Sequence, residues 1–445
     1  MNKKPNIVFF FVDQQRWDTC GCYGQKDPIT PHLDQMASEG VLFENAFTCQ
    51  PVCGPARACL QTGKWATELG CYRNGIRLPS NEKTIAHHFS EEGYNTAYIG
   101  KWHLASDDKE GLHYEKKAVP PELRGGWDQH WIASDVLEFT SRGYGGHMFD
   151  TQGNKKIFPK GRYRVDTQTD WALEYLDSQK NEENPFILFL SYIEPHHQND
   201  RFSYEGPKGS KKRFKDFNIP DDLAGKRGNW KRSYPDYLGC INSLDENLGR
   251  IRSRLNELGM SEDTLIVYTS DHGSHFKTRN SEYKRSCHDA SIHIPLVIMG
   301  PGFKGGKRMD ELVSLIDLPP TLLNAAGRKV PGHMAGRPLS ELTNSAKSEK
   351  PWPEEVFYQI SESQVGRGIR TSKWKYSVKA PKKNGWKLSS SESYESDFLY
   401  DLEKDPHELN NLADSTEHKG VREELSEILI RRMVDAGENA PRIDV

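Results

Sequence analysis

Asn6-Ile7-Val8-Phe9-Phe10-Phe11-Val12-Asp13-Gln14 is the stretch whose reading decides the fold. The run from Ile7 to Val12 is apolar without a break, rich in β formers, and bounded by Pro5 and Asp13. A strand with no polar alternation must be covered on both faces, which is the pattern of an interior strand in a parallel sheet. Open α/β sheets place their sites at the carboxyl ends of such strands, so Asp13 and Gln14 become candidates for chemistry. Taken alone, an aspartate there fits a solvated loop equally well.

Working outward, the same arrangement of apolar strand and polar end recurs. Thr96–Ile99 delivers Gly100-Lys101-Trp102-His103, and Pro185–Ile193 ends in Glu194-Pro195-His196-His197. Thr264–Thr269 runs into Ser270-Asp271-His272-Gly273. Further strands are expected at Val41–Phe47 and Ile294–Met299. Between them, Thr30-Pro31 opens a helix that Gly40 stops. Ile85–Phe89 and Val165–Ser178 also read as helical. Leu238, Ile241, Leu244, Leu248, Ile251 and Leu255 mark an amphipathic helix over Tyr237–Leu258. Leu312–Ala326 reads as another, kinked by Pro319-Pro320. Residues 106–164 lack periodicity and read as an elaborated loop region.

This alternation predicts an α/β fold with a large mixed, mostly parallel sheet flanked by helices. The composition shifts over Asn344–Pro353, a linker by its Ser, Lys, Glu and Pro content. Beyond it, β-like runs at Val356–Ile360, Gly368–Thr371, Trp374–Val378 and Phe398–Leu402 precede a helix over Val421–Val434. They predict a smaller C-terminal α+β subdomain with an antiparallel sheet, dividing the chain into residues 1–350 and 351–445.

A formal charge of −3 gives no drive toward nucleic acid or an anionic membrane. The basic loop of Lys208, Lys211, Lys212, Arg213 and Lys215 reads as solvated surface. No stretch approaches membrane-spanning length. The apolar run after Lys4 is too short for a signal peptide and lacks a small-residue cleavage site. A cytoplasmic location is therefore expected, or a periplasmic or secreted one if a leader has been removed. Six of the eight cysteines fall between Cys20 and Cys71 without zinc-site spacing, and free thiols are expected.

One of those cysteines opens a helix-like run, Cys53-Gly54-Pro55-Ala56-Arg57. A helix start presents unpaired N–H groups and partial positive charge, which favour a thiolate or a bound oxyanion. Asp13, Gln14, Asp271 and His272 can together hold a divalent cation. Oxygen donors favour Ca²⁺ or Mg²⁺, and the imidazole leaves room for Mn²⁺ or Zn²⁺. Arg57, Lys101 and Lys284 supply the cations that a tetrahedral oxyanion needs, and His103 and His196 are suited to proton transfer.

In their order along the chain these residues resemble the type I sulfatases of the alkaline-phosphatase-like superfamily. The likeness runs through Pro5–Asp13, Thr30-Pro31-His32-Leu33 and Cys53-Gly54-Pro55-Ala56-Arg57 with Thr62-Gly63. It continues through Gly100-Lys101-Trp102-His103, Pro195-His196, Ser270-Asp271-His272-Gly273, and Lys284 upstream of Ser291–Leu296. Leu399-Tyr400-Asp401-Leu402 with Asp405-Pro406 resembles the family's C-terminal subdomain.

The resemblance implies that Cys53 is oxidised to formylglycine, by a formylglycine-generating enzyme or an anaerobic sulfatase-maturating enzyme. Its hydrate attacks sulfur with one hydroxyl and expels sulfate through the other. By position Asp13, Gln14, Asp271 and His272 hold the metal with residue 53. Arg57 and Lys101 hold the hydrate and sulfate, and His103 is the base for collapse. His196 and Lys284 contact the ester oxygens, with His196 as the acid for the leaving alcohol. His197, Gln198, Asn199, Asp200, His275 and Arg279 are expected substrate contacts.

Many members carry Asp where Gln14 stands and Asn where His272 stands. Gln and His at these positions resemble the phosphonate monoester hydrolases, a likeness that points to Mn²⁺; Ca²⁺ is still the expected ion, with Mn²⁺ or Mg²⁺ as alternatives. The expected substrate is a sulfated sugar. Lys101 and His103 support sulfate, and the insertion around Trp127, His130 and Trp131 is expected to stack on the sugar. The alternatives are a phosphonate or phosphate mono- or diester hydrolase, and a non-catalytic binding protein in which Cys53 stays a thiol. No nucleic-acid or membrane partner is expected, and the oligomeric state is left open.

Overall fold

The computed structural model describes residues 4–343 and 350–445. Its centre is the strand expected from the opening run, β1 (Asn6–Val12), hydrogen-bonded in parallel to a strand on each side. Ile7, Phe9 and Phe11 pack into one core cluster, and Val8, Phe10 and Val12 into another on the opposite face. That is why the run never alternates: each face has its own helical layer to bury against. Full burial of such side chains is worth about 1.5–3 kcal/mol each.

The remaining strands of the main sheet are β2 (Val41–Phe47), β3 (Asn95–Lys101), β4 (His130–Ser134), β5 (His147–Phe149), β6 (Lys155–Ile157), β7 (Phe186–Ser191), β8 (Thr264–Ser270), β9 (His293–Ile294), β10 (Leu296–Met299) and β11 (Lys307–Ser314). They lie in the order β11-β2-β10-β8-β1-β7-β3-β4-β5-β6, with β9 also on β2. The central block β8-β1-β7-β3-β4 is parallel throughout, and β10 runs antiparallel to both its neighbours. The sheet is mixed and mostly parallel, as expected. Its parallel strands bring Asp13, Lys101, His196 and Asp271 to one edge.

Gly100 shows how close the strands come there. It has φ +129°, and a Cβ built on it would lie 1.8 Å from the Ser191 carbonyl oxygen. Glycine is what lets β3 lie against β7 immediately before Lys101.

Several expectations need correction. Leu312–Ser314 do not begin a helix; they end the edge strand β11. Pro319 and Pro320 then sit in the first turn of the helix Leu318–Ala325, where no intrahelical N–H is lost, so they start the helix and do not kink it. The helix expected from Tyr237 begins at Trp230 and runs to Glu257 with Pro235 inside its second turn. Burial of Trp230, Tyr234 and Pro235 offsets the one hydrogen bond that the proline removes. The region 106–164 is more than a loop, since β4–β6 extend the main sheet. Trp127 and Trp131 are fully buried against Tyr98, where they complete the core and are closed to a ligand.

The C-terminal strands β12 (Glu355–Ile360), β13 (Gly366–Thr371), β14 (Trp374–Lys379) and β15 (Ser393–Asp401) form an antiparallel sheet. A strand that the sequence did not suggest, β16 (Arg442–Asp444), adds in parallel to β15. The helix Lys419–Asp435 packs against β13 and β14. The sheet is tied to the rest of the chain by a buried ammonium: Lys375 on β14 contacts both Asp289 and Glu408. Of the linker expected over Asn344–Pro353, residues 344–349 lie outside the described residues. All eight cysteines are free thiols. No helix among the described residues is long and apolar enough to cross a membrane.

Candidate active site

Cys53 is the first residue of the helix Cys53–Thr62, which the strand β2 and a short turn deliver to the carboxyl edge of the sheet. Asn74 Oδ1 accepts the free N–H of Gly54 at 2.9 Å, satisfying one donor of the first turn. The thiol is buried, with Sγ 2.7 Å from Lys284 Nζ, 3.2 Å from His272 Nε2 and 3.4 Å from Asp13 Oδ1. Burial alone would push this thiol up. Lys101, Lys284, His272 and His196 outweigh it and hold the thiol well below its ordinary value.

Arg57 follows one turn later on the same helix and faces the same edge. It donates to the Lys101 carbonyl at 2.9 Å, Ser191 Oγ at 2.8 Å and Asp13 Oδ2 at 3.0 Å. Its Nε lies 3.6 Å from Asp271 Oδ2. Lys101 Nζ reaches Asp13 Oδ2 at 2.9 Å and Glu138 Oε2 at 3.6 Å. Burial disfavours the Lys101 charge, but Asp13, Cys53 and Glu138 raise its proton affinity above the ordinary value. Asp13 is itself lowered: burial and Cys53 push it up, and Lys101, His196 and Arg57 pull it down further.

Asp13, Cys53, Asp271 and His272 present donor atoms within 4.8 Å of one another. Asp271 Oδ2 is buried without a hydrogen-bond partner, and burial with the neighbouring Asp13 pushes its carboxyl up to about 7. His272 Nδ1 lies 2.9 Å from the Gly273 carbonyl oxygen. With the proton on Nδ1, the lone pair of Nε2 points into the group. An orphaned carboxylate oxygen, two mutually repelling carboxylates and an imidazole so oriented fit a divalent cation. Gln14 borders this group but is engaged elsewhere. Its Nε2 donates to Tyr204 and Ser274 at 2.8 and 3.1 Å, and its Oε1 accepts from His197 N at 3.3 Å. The backbone N–H of Gln14, at φ 70°, donates to Asp271 Oδ1 at 3.0 Å.

The proton-transfer candidates lie beside the thiol or on the adjoining turn. His196 Nε2 is 3.4 Å from Lys284 Nζ and 4.0 Å from Asp13 Oδ1, and burial lowers its imidazole to about 4. His103 has φ 64°, and its Nδ1 is buried without a partner. Its carbonyl oxygen lies 3.5 Å from the position of a Cβ at Gly54.

Not every expected substrate contact is available. His197 packs between Tyr204 and Tyr283, with Nδ1 3.1 Å from Asn199 Oδ1, which also accepts from Tyr283. Gln198 and Asp200 bond to each other at 2.8 Å. His275 is fully buried, with Nε2 2.7 Å from the Lys284 carbonyl, so it props the lysine from behind. Arg279 donates to the carbonyls of His407 and Glu408 and anchors the C-terminal segment. Glu138, Ser191, Asn74, Tyr204 and Tyr283 join the site without having been singled out. Tyr283 was open to inference as the neighbour of Lys284, whereas Glu138 sits in an aperiodic region that gave no signal. A surface groove of about 770 Å³ lined by Tyr144, Lys160, Lys208 and Arg213 holds none of these residues.

A mostly parallel sheet whose carboxyl edge gathers metal donors, ammonium groups and one nucleophile-shaped residue defines an alkaline-phosphatase-like hydrolase. Residues 5–328 match the sulfatase family, and residues 281–435 match the C-terminal family of N-sulphoglucosamine sulphohydrolase. The chain belongs to the sulfatase family and is a sulfuric ester hydrolase. An ulvan-active sulfatase of Formosa agariphila is 29% identical over 453 residues, covering 98% of this chain and 82% of that one. An N-acetylglucosamine-6-O-sulfatase of Bacteroides thetaiotaomicron is 26% identical over a 527-residue alignment, covering 99% and 88%. The phosphonate monoester hydrolase of Agrobacterium radiobacter shares the fold, with a TM-score of 0.75 at 23% identity over 97% of this chain and 96% of that one.

Proposed function

We propose that this chain removes sulfate from a sulfated carbohydrate, using a formylglycine made from Cys53 and one divalent cation, Ca²⁺ in preference to Mn²⁺ or Mg²⁺. The observation that carries the reading is the place of Cys53 Sγ, 2.7 Å from an ammonium and inside a ring of metal donors. The sugar rests on the relatives, one ulvan-active and one an N-acetylglucosamine-6-O-sulfatase.

Asp13, Asp271, His272 and residue 53 would hold the cation, with Gln14 beside them; bound there, it would draw charge from the ester and the nucleophile. The formylglycine hydrate supplies two hydroxyls on one carbon, one for attack and one for release, which neither Ser nor Cys offers. Lys101 and Arg57 stay charged at any ordinary pH and hold the Asp13 carboxylate in place beside residue 53. Lys284 faces residue 53 from the opposite chain segment, where its ammonium can neutralise sulfate oxygens as charge builds. The unpartnered Nδ1 of His103 is free to take a proton. His196 is kept neutral near pH 7 by burial, helped by Lys101 and Lys284, although Asp13 Oδ1 lies 4.0 Å away, and an anionic ester beside Lys284 counters that push. Its proton thus arrives with the substrate, in time for the leaving alcohol.

A second reading, hydrolysis of a phosphonate or phosphate ester, is favoured by Gln14 and His272, which leave the donor set with fewer anions. Rates measured side by side on a sulfate ester and a phosphonate monoester decide between the two. Faster turnover of the sulfate is expected, and preference for phosphorus overturns the proposal. The maturating enzyme that this account needs is of the formylglycine-generating or anaerobic sulfatase-maturating kind.

A further inference from the structure

Trp386 lies on the turn between β14 and β15 and is 47% exposed, unlike Trp102, Trp127 and Trp131, which are buried. Its ring centroid is 5.9 Å from the guanidinium carbon of Arg73 and 6.0 Å from that of Arg285. Those arginines adjoin the reaction centre along the chain. Arg73 precedes Asn74, whose side chain caps Gly54 beside Cys53. Arg285 follows Lys284, whose ammonium touches Cys53 Sγ. Glu362 clamps the two sides together, accepting the Asn74 N–H at 2.8 Å and the Arg285 Nε–H at 2.5 Å.

The turn carrying the tryptophan is fixed to the same clamp. Glu362 N donates to the Gly385 carbonyl at 3.2 Å, and the Trp386 N–H donates to Asn384 Oδ1 at 2.9 Å. A Cβ on Gly385 would stand 2.5 Å from the Gln364 carbonyl oxygen, so only glycine lets the turn dock this closely. An exposed indole on an anchored turn offers a flat apolar face on which another ring can stack.

The second observation concerns Arg73. It is 8% exposed, and its Nε is buried without a partner, although Nη1 reaches the Asn74 carbonyl and Asp108. Arg285, in contrast, spends its donors on Glu362 and Glu282. Arg73 therefore has donor capacity left for an oxygen brought in beside the indole.

We infer that Trp386 is the outer wall of the substrate pocket: it stacks on the pyranose ring that carries the scissile sulfate, while Arg73 donates to an oxygen substituent of that ring. The C-terminal sheet is thereby part of substrate selection. This rests on the sulfated-sugar reading above and adds which residues hold the sugar.

The test compares two kinds of ester: a panel of regiodefined sulfated hexoses and hexosamines, and trifluoroethyl sulfate, which has no ring to stack. On the best sugar of the panel, Trp386→Ala should lower kcat/KM by about tenfold, mainly through KM. Trp386→Phe, which keeps a ring, should recover most of the loss. On the ringless ester the change should stay within about threefold. An equal loss on both esters, or no loss on the sugar, overturns the inference. A second measurement needs no turnover. Calorimetric binding of the same sugar to Cys53→Ala protein should weaken about tenfold when Trp386→Ala is added, and unchanged binding overturns it. Failure of the wild type to hydrolyse any sulfate ester would instead count against the proposed function, with the binding arm still deciding the role of Trp386.

Discussion

Lys284 Nζ lies 2.7 Å from Cys53 Sγ, although the two residues are 231 positions apart in the chain. The contact closes a circuit. Cys53 comes from a helix start after β2, Lys284 from the segment after β8, and Asp13 from the end of β1, which borders β8 on the side away from β2. Arg57, Lys101, His196, Asp271 and His272 all meet Asp13, Cys53 or Lys284 within that circuit.

Cys53→Ala should lower turnover at least about a thousandfold, because in the proposed mechanism the hydroxyls that attack and release sulfate have no other source. Binding of a sulfated sugar should survive, since Lys284, Arg57 and Lys101 remain. Steady-state kinetics with calorimetry checks both. Normal turnover in this variant removes the nucleophile assignment.

Asp271→Ala should lose the bound cation together with activity. The carboxylate has one oxygen without a hydrogen-bond partner and shares the group with Asp13, Cys53 and His272. Metal analysis of purified wild type and variant gives the answer. A variant that keeps a full equivalent of metal shows that the ion is held elsewhere.

His196→Ala should cost about a hundredfold or more on a sugar sulfate and less than about tenfold on an activated aryl sulfate, because only the poor leaving alcohol needs a proton. Equal losses on both esters contradict the acid role.

Lys375→Met should destabilise the fold by about 3–5 kcal/mol, because it leaves Asp289 and Glu408 buried with no ammonium between them. Urea unfolding measures the loss. A change within about 0.5 kcal/mol would show that the C-terminal sheet docks without this network.

Asp317 predicts a pH dependence. Burial pushes its carboxyl from 3.8 up to about 6. Between those values the folded chain keeps a proton that the unfolded chain releases. Its contribution is fully present below about pH 4 and is lost as pH rises through about 6, at most about 3 kcal/mol. In Asp317→Asn, stability should therefore fall less than in wild type between about pH 4.5 and pH 6.5. Identical falls would contradict the assignment.

The sequence was most legible where covalent order and sheet geometry coincide. A parallel strand buried on both faces must be apolar and must change to polar residues at its carboxyl end, so Asp13, Lys101, His196 and Asp271 could be read in register before any contact was known. Residues whose role depends on distant partners were not legible. β11 escaped because an edge strand tolerates the charges of Lys307, Arg308, Asp310 and Glu311, which hide the period of two. Trp127 and Trp131 resembled ligand platforms because composition does not report burial, whereas the exposed Trp386 stands in a turn with no pattern around it. His275 and Arg279 follow β8 closely, yet their side chains turn to carbonyl groups behind the site. Adjacency in sequence does not set side-chain direction.

The central claim is that Cys53 is raw material for an aldehyde. Its most direct test is mass spectrometry of the tryptic peptide containing Cys53, from protein of measured sulfatase activity made in a host that matures sulfatases. The account predicts formylglycine at position 53, in a fraction that rises and falls with specific activity across preparations. Fully active protein whose peptide carries only unmodified cysteine would contradict it.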